Sequence, residues 1–68
     1  MYAILLKYDD REEFLGIGVY RKYEKHYLVL GSPRRKYKTF EQARDAVVAI
    51  KNGDFVNGDF KEYEIVNV

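Results

Sequence analysis

The sequence predicts an α+β fold of element order βββαβ, and three observations carry that prediction. Residues 14–31 alternate apolar and polar side chains on either side of a short charged turn, residues 40–51 repeat apolar side chains at helical spacing behind a threonine, and a β-rich apolar run stands near each end. With the right-handed crossover rule, this order favours a four-stranded mixed sheet with spatial order 3-2-1-4. The last strand is then expected to run parallel to the first, with one helix packed on one face. Sixty-eight residues make a single small domain, 1–68, with no room for a second.

Each element has its own warrant. Tyr2 to Tyr8 is β-rich and nearly free of charge, which suits a central strand buried on both faces. Asp9-Asp10-Arg11-Glu12-Glu13 reads as a solvated connection. Phe14 to Tyr23 sets Leu15, Ile17 and Val19 on one face and Gly16, Gly18, Tyr20 and Lys22 on the other, and His26 to Gly31 continues the pattern. A turn around Glu24-Lys25 places Val19 opposite Leu30, Arg21 opposite Leu28, Tyr20 opposite Val29 and Lys22 opposite Tyr27. Gly31-Ser32-Pro33 ends the third strand.

Thr39 is a good N-cap, and Gln42 stands three residues later as its capping-box partner. From Phe40 to about Lys51, the residues Phe40, Ala43, Ala46, Val47 and Ile50 form one apolar stripe, and Asn52-Gly53 supplies the stop. The near-repeat Asn52-Gly53-Asp54-Phe55 and Asn57-Gly58-Asp59-Phe60 breaks the ligand alternation of a calcium loop, so two turns that tuck phenylalanines onto the core are expected. Tyr63 to Val68 is the final strand, with Tyr63 and Ile65 inward. The expected core is Leu15, Val19, Leu28, Leu30, Phe40, Val47 and Ile50.

Composition narrows the function classes. A content of 47% hydrophobic and 16% aromatic residues supports a folded core despite the many charges. Without cysteine there is neither a disulfide nor a thiolate metal site. The run Ala3 to Leu6 is far too short for a membrane span, and a cytoplasmic protein is expected. His26 is the only histidine and Ser32 the only serine, so no nucleophile–base pair or imidazole metal site can be assembled. Gly16-Ile17-Gly18 lacks the third glycine and the strand-to-helix setting of a nucleotide fingerprint. Its glycines instead suggest a bulge, or a flat patch open to close approach. No catalytic residue, metal or cofactor is assigned, and the chain reads as a non-enzyme.

What stands out is a charge asymmetry. Between Arg21 and Lys38 lie seven cations and the single acid Glu24, a net +6, whereas the remainder carries five cations and ten acids, a net −5. Aromatics interleave the cations in Tyr20-Arg21-Lys22-Tyr23-Glu24-Lys25-His26-Tyr27 and Arg34-Arg35-Lys36-Tyr37-Lys38. Tyrosine and arginine are favoured interface residues, so Tyr20, Lys22, Tyr27, Arg34, Arg35, Lys36 and Lys38 are the expected binding residues on an open sheet face. The leading expectation is a protein partner for a small regulator or inhibitor of phage or prophage type. The acidic flanks favour it, because they would repel a long polyanion. The alternative is nucleic acid, with cations on phosphates, tyrosines on bases and the helix N-terminus reinforcing anion binding.

Three strands leading into a helix through Tyr37-Lys38-Thr39-Phe40-Glu41-Gln42-Ala43 resemble, over about half the chain, the integrase arm-type DNA-binding domains, in which a sheet face reads the DNA groove. This chain lacks their extra turn between the phenylalanine and the helix and adds a strand, so no residue role is carried across.

Overall fold

The computed structural model describes residues 1–68. It contains β1 (Tyr2–Lys7), β2 (Glu12–Lys22), β3 (Lys25–Leu30), α1 (Phe40–Asn52) and β4 (Glu62–Asn67). The strands form one sheet in the expected order β3-β2-β1-β4, and the helix packs on one face. Central β1 buries Ala3, Ile4 and Leu6 completely. No helix is long and apolar enough to cross a membrane.

All the strand pairs are antiparallel, which corrects the expected mixed sheet: Tyr2 pairs with Asn67 and Lys7 with Glu62, so β4 runs against β1. The cause is the segment between β3 and α1. After Gly31 (φ +98) the chain runs back along the sheet, with Arg34 bridging Gly16 and Tyr37 bridging Tyr2. The helix therefore starts beside Tyr2, where Phe40 meets the Tyr2 ring edge-on at 6.1 Å. Its 13 residues span about 20 Å, the length of six-residue β1, and return the chain to the far end of that strand. There Lys61 N donates to Lys7 O at 2.8 Å, and β4 can only run back down.

The β2–β3 hairpin keeps the expected parity but shifts its register by two residues over most of its length. Val19 faces Leu28, Tyr20 faces Tyr27, Arg21 faces His26 and Lys22 faces Lys25, while Leu30, expected opposite Val19, faces Leu15. Four residues of β2 thus span two of β3, and Ile17 and Gly18 (φ +90) form a bulge. At Gly16 a Cβ would come within 2.9 Å of Val29 Cγ1, so the missing side chain is what lets β3 lie close. The flat patch suggested for these glycines is therefore occupied at Gly16 by the hairpin's own Val29.

The turn is Tyr23-Glu24, not Glu24-Lys25, and both residues are left-handed (φ 53 and 64), as a type I′ turn requires. Neither is a natural occupant of that region. Replacing them with Asn and Gly should raise stability by about 1 kcal/mol, which a thermal melt would register as a rise of several degrees. A lower melting temperature would mean that the Arg21–Glu24 ion pair and the Lys22 contact with the Tyr23 ring outweigh the backbone cost.

The helix begins as expected, with Gln42 N donating to Thr39 Oγ1 at 3.1 Å. The reciprocal bond is displaced by one residue, Lys38 N donating to Gln42 Oε1 at 3.2 Å. Ile4, Leu6, Leu15, Leu28, Ala43, Val47, Ile50 and Phe60 form the core, with Leu30 and Phe55 partly buried against it. Two expected core residues lie outside it. Val19 is 53% exposed, lying past the bulge and beyond the end of the β1–β2 pairing, and Phe40, the first helical residue, is 48% exposed. Ile17 is exposed in the bulge, and Tyr63 is exposed on the edge strand.

The loop before β4 closes the outer edge of β3. Val56 N donates to His26 O at 2.9 Å, and the Asn57 side chain takes both polar groups of Leu28, accepting from its N–H at 2.7 Å and donating to its carbonyl at 2.9 Å. The Tyr8 hydroxyl donates to Asn57 O at 2.5 Å.

Candidate functional site

Alternation along the hairpin, with Leu28 directed into the core, places Tyr20, Lys22, Lys25, Tyr27 and Val29 on the face away from the helix. Tyr20 and Tyr27 stand directly opposite one another, and their rings stack at 5.0 Å between centroids and 11° between planes. The next pair outward is Lys22 opposite Lys25, two like charges in a position that opposite charges would stabilise.

Phe14, adjacent in β2 to the buried Leu15, faces the same way and carries the Arg34 guanidinium 4.8 Å above its ring. Arg34 is brought there by the returning segment, which is wedged between β1 and β2. Arg35 N donates to Leu15 O, Tyr37 N to Tyr2 O and Tyr2 N to Tyr37 O, each at 2.8 Å. The structure thus gathers Tyr20, Lys22, Tyr27 and Arg34 on one face. Arg35, over the Tyr37 ring (5.7 Å), instead borders a groove on the helix side. Lys36 and Lys38 belong to a neighbouring group at the start of the helix, where an open hollow of about 630 Å³ is lined by Met1, Arg35, Lys36, Tyr37, Lys38, Gln42 and Asp45. A second hollow of about 750 Å³, lined by Met1, Ile17 and the segment Ser32 to Lys36, adjoins it. The helix N-terminus contributes less than expected, because Thr39 and Gln42 already cap it and Glu41 occupies its first turn.

The ion pairs decide the electrostatics. Arg11 pairs with Asp10 and Glu13, and Arg21 with Glu24; Lys22, Lys25, Arg34, Arg35, Lys36 and Lys38 have no carboxylate partner. Where these cations rest on anything, they rest on aromatic rings, which hold a cation in place without neutralising it. Of the acids, Asp9, Asp10, Glu12, Glu13 and Asp59 gather at the opposite end of β1 around Tyr8, whereas Glu41 and Asp45 lie at the helix start and Glu24 and Asp54 beside Lys25. Burial pushes the Tyr8 hydroxyl above its ordinary pKa; Arg11 opposes this, while Asp59 and Glu13 add to it. Hydrogen bonds to Glu13 and Asp10 raise the Arg11 guanidinium in turn, against its desolvation.

His26 is exposed beside the turn and shares a small hollow with Glu24, Lys25, Asp54 and Val56. No group of three or more His, Asp or Glu side chains converges in a geometry that could hold a metal ion.

Sequence reasoning missed Phe14 and Tyr37, the two rings that position the arginines. The parity of β2 put Phe14 on the same face as Gly16 and Tyr20, which was the available signal. Nothing in the sequence signalled that Tyr37 would bond to Tyr2. Compared with family models, curated proteins and solved structures, the chain matches none.

Proposed function

We propose that this chain is a non-enzymatic binding module for a polyanion of the nucleic-acid class, held on the sheet face away from the helix and along the Arg34–Lys38 segment. The observation that supports this most is a stacked tyrosine pair sharing its face with Lys22, Lys25 and Arg34, none of which has a carboxylate partner, and adjoined by the unpaired Arg35, Lys36 and Lys38. Cations of this kind neutralise phosphates and release counterions. The acids that argued for a protein partner in the sequence are less of an obstacle in the fold. Those around Tyr8 lie a strand's length, about 20 Å, from Tyr37, which bridges Tyr2, roughly twice the Debye length at physiological salt, although Arg34, over Phe14, stands nearer to Glu13.

A protein partner with an acidic surface is the second reading. It is favoured by an apolar groove between the bulge and the helix, lined by Leu15, Val19, Leu28, Ala46, Ile50 and Phe55, with Arg35 at its margin.

Titration with labelled DNA and RNA oligonucleotides at two salt concentrations separates the readings. Affinity should fall steeply with salt, and Arg34→Ala and Arg35→Ala should each flatten the log–log slope by about one unit. No binding at low salt would overturn the nucleic-acid reading.

A further inference from the structure

We infer that the nucleic acid this surface accepts is single-stranded, its unpaired bases stacking on the Tyr20–Tyr27 pair while its phosphates follow Lys22, Lys25, Arg34 and Lys36; the inference deepens the reading above and rests on it. The two rings lie opposite one another on adjacent strands and nearly parallel, so the backbone register holds them as a preformed stack. Beyond Phe14, β2 has left β1, whose pairing ends at Leu5–Phe14, and no strand covers the sheet on that side of Tyr20. Tyr20 accordingly remains 48% exposed. A ring with an open face beside a partner that already fixes its plane can extend the stack by one base at little cost in side-chain entropy.

A duplex cannot use this platform. Its base faces are stacked inside, and bringing one out costs a few kcal/mol, whereas a free strand presents every face without that cost. For groove reading the face has only part of the set, cations that can pair with guanine. Its tyrosines, lysines and Arg34 include no asparagine or glutamine to pair with adenine. Stacking on tyrosine with phosphate contacts to lysine tolerates any base, so weak sequence preference is expected. Unpaired bases on a phosphate backbone are the shared chemistry of single-stranded DNA and RNA.

The test uses fluorescence anisotropy at one fixed low salt concentration, with four probes of about a dozen nucleotides: an oligothymidylate, an oligouridylate, a mixed-sequence duplex, and an abasic strand that keeps the sugar-phosphate backbone alone. The parent protein should bind the two single strands roughly tenfold or more tighter than the duplex and the abasic strand. Tyr20→Ala with Tyr27→Ala should lose roughly 5- to 100-fold on the single strands and little on the duplex, and Tyr20→Phe with Tyr27→Phe should restore the affinity. A difference between the thymidylate and uridylate arms would identify DNA or RNA as the preferred form. If the duplex or the abasic strand binds parent protein as tightly as the single strands, the stacking inference fails while the polyanion reading stands. If none of the four probes binds, both fail. The abasic comparison needs no mutant, so the inference can fail even if the alanine variant does not fold.

Discussion

Phe60→Ala should leave little folded protein. Phe60 is only 4% exposed, meets the Tyr8 ring edge-on at 6.4 Å and carries the Lys51 ammonium 4.8 Å above its ring. Removing a ring so enclosed costs ~3–5 kcal/mol, against a total stability of about 3–10 kcal/mol for a chain of this length. The informative comparison is Phe40→Ala. Helical spacing made Phe40 a core residue, but it is half exposed at the first helical position and meets Tyr2 edge-on, so its loss should cost only ~1–2 kcal/mol. Urea unfolding of the two variants would rank them, and a greater loss for Phe40→Ala would mean that the helix lies differently on the sheet.

Asn57→Ala should be the second most damaging substitution, although no apolar contact is at stake. The Asn57 amide stands in for a strand residue, satisfying both the N–H and the carbonyl of Leu28, one of the buried core positions. Without it both groups lose their partner in a partly buried setting, at a cost of about 2–3 kcal/mol. Exchange of the Leu28 amide should accelerate more than that of amides in β1. Asn57→Asp refines the test. A carboxylate can still accept from Leu28 N but would oppose the Leu28 carbonyl, to which only its protonated form can donate. The native state of that variant should therefore hold the proton more tightly than an unfolded aspartate, whose pKa is about 3.9. Its stability should be greatest below that value and fall as pH rises through the native one. An Asn57→Ala variant as stable as the parent would show that water replaces the amide at no cost.

The strand order, the helix and its cap were legible because each rests on a local pattern: alternation around Leu15 and Leu28, apolar spacing from Ala43 to Ile50, and Thr39 with Gln42. What escaped depended on contacts distant in sequence. The direction of β4 follows from the return of Gly31–Lys38 along the sheet, which reads in sequence as a basic approach to the helix. Val19 lies exposed past the bulge, whose signal, Gly16-Ile17-Gly18, does not say how many residues are inserted. Asn57 does lie in a turn, closed by Gly58 N donating to Phe55 O, but its pairing with Leu28 has no sequence signature. The site divides in the same way. Parity alone put Tyr20, Lys22 and Tyr27 on one face, whereas the direct pairing of the tyrosines needed the Tyr23-Glu24 turn, which lacks the residues that usually mark such turns. Arg34 joined them only through Phe14.

An amide chemical-shift titration of the protein with a short single-stranded oligonucleotide tests the central claim most directly, because it locates the contact as well as detecting it. The largest shifts should fall on Tyr20, Lys22, Lys25 and Tyr27 and on Arg34 to Lys38, with little change at Asp9 to Glu13. Shifts confined to the exposed edge of β4 or to the acidic turn around Arg11, or no shifts at low salt, would contradict the assignment of binding to the basic, tyrosine-bearing face.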